Sequence, residues 1–195
     1  SKGMLKEAKR SARANAELLS RYVRDGIPVV GTEPSCILTF RDEYQDLLPG
    51  DEYVAIVAKN SYLLDEFLFG EAGDVMSVLK WKPSRENVLY HGHCHQRALI
   101  GIGASVGLLK TAGCGVTETN AGCCGMAGSF GYESEHYAVS KAIGEDRLLP
   151  AVRSAPDETI VAVSGVSCMH QIEHFTGRRV RHIAEVLADR INEEE

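Results

Sequence analysis

Along residues 4–24, alanines, leucines and a tyrosine recur at helical spacing among Lys, Arg and Glu, and the pattern stops at Gly26-Ile27-Pro28. This predicts a long amphipathic helix that gives way to a short buried strand at 28–31. Glu33-Pro34-Ser35-Cys36 then opens a second helix running to about residue 47, with Cys36 in its first turn. After the break at Pro49-Gly50-Asp51, residues 53–69 carry the apolar period of a further helix, closed by Gly70 and Gly73. The polar, proline-containing stretch 81–85 marks a boundary, and beyond it one unit repeats. A strand at 88–91 leads into Cys94 and a helix from about 95 to 111. A strand at 115–118 leads into Cys123-Cys124-Gly125 and a helix over 132–152. A strand at 159–163 leads into Ser167-Cys168 and a helix to 174, and a last strand at 179–182 precedes a helix over 184–191. Strands alternating with helices predict parallel sheet built from right-handed crossovers, with sites gathered at the carboxyl ends of the strands.

Composition narrows the partners. At 195 residues and 44% hydrophobic, the chain can bury one good core or two small ones sharing an interface. Lys and Arg total 21 against 27 Asp and Glu, and no basic run is interleaved with aromatics, so nucleic acid is excluded as a partner class. The apolar runs are far shorter than the roughly 20 residues of a membrane span. The chain starts at Ser1 without an initiating Met or a charged-then-apolar leader, as expected of a piece of a longer protein. Glu193, Glu194 and Glu195 read as a solvated tail.

The six cysteines are Cys36, Cys94, Cys114, Cys123, Cys124 and Cys168. They are few and unevenly spaced for a secreted disulfide scaffold, which points to metal or redox chemistry in a reducing cytoplasm. Cys94, Cys123-Cys124 and Cys168 each follow an apolar, strand-like stretch, so one sheet edge can bring them to a single site. Four thiolates from three loops serve a structural zinc or an iron–sulfur cluster. Zinc sites are usually made from two close pairs, which this sequence lacks. Adjacent cysteines crowd one small ion, whereas a cluster offers irons at several positions. Plain buried cysteines and a zinc-stabilised interaction module remain alternatives, and a thiol–disulfide enzyme is disfavoured by the absence of CxxC. His91, His93, His95 and His170 flank the thiols and suit either N–H donation to sulfur or local packing. His136, His174 and His182 read as ordinary surface or packing residues. Cys114, beside a helix end, reads as a small buried hydrophobe. Gly122, Gly125, Gly128 and Gly131 suit a loop folded back over a cluster rather than a phosphate loop.

These residues carry a resemblance. Cys94, then Cys123-Cys124-Gly125, then Cys168 resembles the cysteine-rich CCG domain found in heterodisulfide reductase and in the iron–sulfur subunits of glycolate oxidase and anaerobic glycerol-3-phosphate dehydrogenase. The strings Tyr90-His91-Gly92-His93-Cys94-His95-Gln96, Gly122 through Tyr132, and Ser167-Cys168-Met169-His170-Gln171-Ile172 resemble the C-terminal region of large single-chain FAD-linked oxidases of D-2-hydroxy acids, of the D-lactate, glycolate or D-2-hydroxyglutarate type. The resemblance implies an α/β fold of short parallel sheets flanked by helices, in two pseudo-repeated cysteine-rich units of which the first is truncated: residues 1–84 and 85–195. It implies a 4Fe-4S cluster on Cys94, Cys123, Cys124 and Cys168, with Cys36 a ligand of a separate site completed by residues upstream. It further implies FAD and ferredoxin-like domains in that upstream part, a quinone or electron-carrier protein as acceptor, and a cytoplasmic location, peripheral to the inner membrane face. The chain has no flavin-binding segment of its own, so it is expected to be non-catalytic in isolation. One departure matters. The broader family ends its motif in CxxC, and here Gly165 stands at the first of those positions, leaving four ligands rather than five and favouring an ordinary four-iron cluster over a non-cubane double one. Glu33 marks the same loss in the first unit.

Overall fold

The computed structural model describes residues 2–71 and 78–192; Gly73 and the three terminal glutamates lie outside them. Helix α1 (Leu5–Arg24) turns Ala12, Ala16 and Ser20 inward at intervals of four residues, and this small-residue face lets it lie close against α4 (Glu52–Lys59). Between them, strand β1 (Val29–Gly31) is followed by α2 (Pro34–Ile37), a 3-10 turn over Leu38–Phe40 and α3 (Glu43–Leu47). The single helix expected from 34 to 47 is therefore three short pieces.

The expected helix over 53–69 is also corrected. α4 is capped by Asp51, whose carboxylate accepts from the Tyr53 and Val54 amides, and it stops at Asn60. Residues Ser61–Leu63 form β2, parallel to β1 with Val29 opposite Ser61 and Gly31 opposite Leu63. Here tertiary pairing overrides the helical period: Ser61 and Leu63 point inward with a strand's alternation. A helical turn, α5 (Leu64–Glu66), and a π turn over Phe67–Glu71 complete this part.

The second sheet has four parallel strands: β3 (Asn87–His91), β4 (Gly115–Glu118), β5 (Ile160–Val163) and β6 (Val180–His182), in the order β4-β3-β5-β6. Alternation along the strands builds a core on each face. Leu89, Val161 and Val163 pack with Leu148, Leu149, Val152 and Ile172 on one side. Val88, Tyr90 and Ala162 pack with Leu108, Leu109, Ile183 and Val186 on the other. The connections are α6 (Cys94–Leu99) and α7 (Gly103–Thr111) after β3, α8 (Tyr137–Asp146) and α9 (Leu148–Ser154) after β4, α10 (Val166–Thr176) after β5, and α11 (Ile183–Arg190) after β6.

Two of these connections are split where the sequence pattern reads as one helix. Gly101, at φ +72°, separates α6 from α7. Pro150 sits at the third position of α9, where its missing N–H is harmless. In one continuous helix the same ring would meet the Asp146 carbonyl, so the helix restarts at Arg147, φ −144°. The chain goes from β3 outward to β4, then crosses back past β3 to β5. The strand order thus reverses between β3 and β5, and their carboxyl ends form the crevice where open α/β sheets place their sites. Among the described residues, no helix is long and apolar enough to cross a membrane.

Candidate metal centre at the sheet's switch point

Cys94 opens α6 just past the end of β3, and Cys168 lies in the first turn of α10 just past β5, so the two strands flanking the crevice each deliver one thiol. Cys123 and Cys124 come from the loop after β4. Gly125 (φ +101°), Ala127 (φ +40°) and Gly128 (φ +66°) turn that loop back on itself. A side chain at Gly125 would have its Cβ 2.2 Å from the Ser140 carbonyl, so the loop is pressed onto α8. Cys124 and Cys168 are buried, while Cys94 and Cys123 are half-exposed.

The four thiols form a row, Cys94 to Cys123 to Cys124 to Cys168, in which each acts on the ionisation of the next. The neighbouring Cys124 and Cys94 thiols pull the Cys123 pKa down to about 2, helped by the Gly125 amide, which donates to its sulfur at 3.3 Å. Cys168 is held well below its ordinary value by the Cys124 thiol and by His91. Cys94 and Cys124 are in turn pushed upward by their neighbours and by burial.

His91, at the end of β3, is fully buried. Its Nδ1 pairs with Thr119 Oγ1 at 3.0 Å, while Nε2 completes no well-formed hydrogen bond and faces the Cys168 sulfur. His93 caps α6 by accepting from the His95 amide at 3.3 Å. Its ring also explains the sequence departure: a Cβ on Gly165 would lie 2.4 Å from His93 Cδ2, so there is no room for a fifth cysteine there. A cavity of about 450 Å³ opens beside the row, lined by Glu33, His93, Cys94, Cys124, Tyr132 and Ser167 among others.

Cys36 stands apart, exposed in a separate hollow beside β1. Cys114 packs in the core on the opposite face of the sheet, and burial raises its pKa. Two features had no sequence signal. Glu33 reaches across 133 residues so that its Oε2 accepts from the Val166 amide at 2.7 Å, capping the helix that carries Cys168, while Oε1 accepts from the Ser35 hydroxyl. His182 Nε2 lies 3.1 Å from both the Thr32 and the Ser164 carbonyls. A third feature left a weak trace: Asp65, a charge inside the apolar run 53–69, is buried and accepts from Ser105 Oγ and from Gln96 Nε2. The Tyr90 hydroxyl links Gln96 onward to Ser164 Oγ.

A row of thiols gathered at the switch point of a parallel sheet, beside a cavity, defines a cysteine-rich α/β unit. No family model matches the chain. It is 32% identical over 192 residues to the D-2-hydroxyglutarate dehydrogenase of Escherichia coli (strain K12), a match that takes in 96% of this chain and 18% of that protein. The same enzyme of Pantoea ananatis is 31% identical over 195 residues, 97% of this chain and 18% of that protein. One subunit of the anaerobic glycerol-3-phosphate dehydrogenase of Escherichia coli (strain K12) is 30% identical over 188 residues, 95% of this chain and 46% of that one. The chain is therefore similar, along nearly its whole length, to a segment of D-2-hydroxyglutarate dehydrogenase and to this component of anaerobic glycerol-3-phosphate dehydrogenase. It spans less than half the length of these relatives, all of which are oxidoreductases.

Proposed function

We propose that the chain is the electron-relay portion of an FAD-linked oxidoreductase acting on a D-2-hydroxy acid, and that Cys94, Cys123, Cys124 and Cys168 together hold a 4Fe-4S cluster. The observation that carries this reading is the row of four thiols from three separate loops at the sheet's switch point. The donor set suits such a group in kind, four thiols brought together from three connections of one sheet. A tetrahedral zinc with bonds of about 2.3 Å would draw all four sulfurs to within about 4 Å of one another. Among the described residues, the ligand groups mutually within 4.8 Å are Asp42, Glu43 and His95, and Glu133, Glu135 and His136, both without cysteine. An extended row beside a cavity suits a larger object.

When bound, a cluster supplies reversible one-electron transfer. The chain's own residues prepare for it. Cys123 and Cys168 already favour the thiolate. The Gly125 amide and His91 Nε2 face those sulfurs as donors, and the N-terminal end of α10 adds partial positive charge near Cys168. In this reading residues 1–84 end a first cysteine-rich unit and residues 85–195 form a second. Cys36 serves a separate site completed by residues upstream, where the flavin is also bound, and a quinone or carrier protein takes the electrons. The substrate class rests on the relatives named as D-2-hydroxyglutarate dehydrogenases.

The test uses the full-length enzyme and its Cys124→Ser variant in rapid-mixing experiments. The expected result is flavin reduction by the D-2-hydroxy acid within about twofold of wild type, with delivery to an external acceptor slowed at least tenfold. Equal delivery by the two proteins would contradict the relay.

A further inference from the structure

We propose, resting on the reading of the four thiols as one cluster site, that Asp65 is a positioning residue for that site: through a buried polar chain it holds Cys94 and Cys168 at a fixed separation across the crevice. Asp65 lies in α5, outside the four-stranded sheet. Its Oδ1 accepts from the Glu66 amide at 3.1 Å, and its Oδ2 accepts from the Ser105 hydroxyl and from Gln96 Nε2, the latter at 3.2 Å. Gln96 Nε2 also donates to Ser105 Oγ at 2.7 Å. On the other side of the same amide, Gln96 Oε1 accepts from the Tyr90 hydroxyl, which meets Ser164 Oγ at 2.7 Å. All five residues are at most 2% exposed.

The chain reaches the segments that carry the thiols. Gln96 sits in the same first turn of α6 as Cys94. Ser164 directly follows β5, and the next helix, α10, carries Cys168 in its first turn. These segments flank the crevice, one after β3 and one after β5, so the link through Tyr90 runs from one wall to the other. The turn at 164–166 is tied to residues 2–71 at two further points. His182 Nε2 stands 3.1 Å from the carbonyls of both Thr32 and Ser164, and Glu33 Oε2 accepts from the Val166 amide at 2.7 Å.

Hydrophobic contact is non-directional and lets helices slide, whereas a buried polar chain holds only where every donor finds its acceptor. Its direction is fixed at the Asp65 end. A carboxylate only accepts, so Ser105 and Gln96 give their hydrogens to Asp65. That turns Gln96 Oε1 toward Tyr90, the Tyr90 hydroxyl donates to it, and Ser164 is left to donate to Tyr90. Without the acceptor at position 65 the Gln96 amide is free to turn over, and the order of bonds is lost as far as Ser164. The separation of Cys94 from Cys168 then rests on apolar packing alone. Because the electronic structure of an iron–sulfur cluster follows its ligands and their surroundings, the change is read at the cluster itself.

The test uses the 195-residue chain reconstituted anaerobically with iron and sulfide, at a temperature where circular dichroism shows the variants folded. The readings are the electron paramagnetic resonance spectrum after dithionite and the rate of iron release to a chelator. Asp65→Ala and Tyr90→Phe cut the chain at separate points, and each should alter the spectrum and speed release by about fivefold or more. Asp65→Asn, which keeps an acceptor for Ser105 and Gln96, should stay within about twofold of wild type with an unchanged spectrum. Val57→Ala loosens the same part of the fold from α4, away from the chain, and should also stay within about twofold. An unchanged spectrum and release rate in Asp65→Ala, or equal acceleration by Val57→Ala, would overturn the positioning role. Where Asp65→Ala does not fold, Tyr90→Phe decides between the same two results. If wild type takes up zinc instead of iron, the relay reading fails, and the same variants compared by zinc release still decide the role of Asp65.

Discussion

Cys123 and Cys124 come from one glycine-bracketed loop, Cys124 buried and Cys123 half-exposed, and their meeting with Cys94 and Cys168 was legible because each of these cysteines follows an apolar strand. Changing either to Ser is expected to abolish cluster retention, read as iron and sulfide per chain. Cys114→Ser should keep the cluster and lose about 1–3 kcal/mol of stability, because it buries a hydroxyl in an apolar core. Gly165 was visible only as a missing cysteine, and the reason lies in three dimensions: its Cα faces the buried His93 ring across the crevice. Gly165→Ala should therefore destabilise the chain by about 1–3 kcal/mol. Adding His93→Ala should recover part of that loss, so the double variant would be more stable than the sum of the singles. Strict additivity in denaturant unfolding would show that the two residues do not meet. The role of Glu33 as a cap had no local signal, since its partner is 133 residues away.

The four strands of the second sheet and the helices between them follow from alternation and turn chemistry, and the sequence-based strand positions agree with the structure to within a residue or so. Helix lengths were less legible. Gly101 and Pro150 divide helices whose apolar period runs on across the break, and β2 forms inside a helical period because β1 offers it a partner. Asp65, just after β2, is the polar cost of that arrangement. Desolvation raises its pKa despite the bonds from Ser105, its neighbouring amide and Gln96. Below the ordinary aspartate value of 3.8 the carboxyl is protonated in both folded and unfolded chains and its contribution is complete. As pH rises, the unfolded chain releases the proton first, and the contribution is lost until the folded-state pKa is passed. Asp65→Asn removes the titration while keeping an acceptor for Gln96. The stability of wild type relative to Asp65→Asn should fall as pH rises above the ordinary aspartate value of 3.8, and a difference independent of pH would contradict the burial of an ionisable group here. Asp65→Ala, which leaves Gln96 and Ser105 without their acceptor, should cost about 1–3 kcal/mol.

At the scale of the molecule, periodicity foresaw the parallel sheet and the end at which the thiols meet, but not how residues 2–71 close over that end. Glu33 on the α10 amide, His182 on Thr32, and the Asp65 to Ser164 chain are all long-range polar contacts, and such contacts leave no period in a sequence. Glu33→Ala should uncap α10, lowering stability by about 0.5–2 kcal/mol and raising amide exchange at Val166 and Ser167, whereas unchanged exchange would show that the contact does not hold the helix. Whether the four thiols hold iron rather than zinc decides the function of the whole chain. Anaerobic reconstitution with iron, sulfide and zinc all supplied, followed by metal and sulfide analysis and a visible spectrum before and after dithionite, separates the two. A cluster on these thiols gives about four irons and four sulfides per chain and a broad visible absorption that bleaches on reduction. One zinc per chain, colourless and bound through the same cysteines, would overturn the cluster assignment and the relay with it.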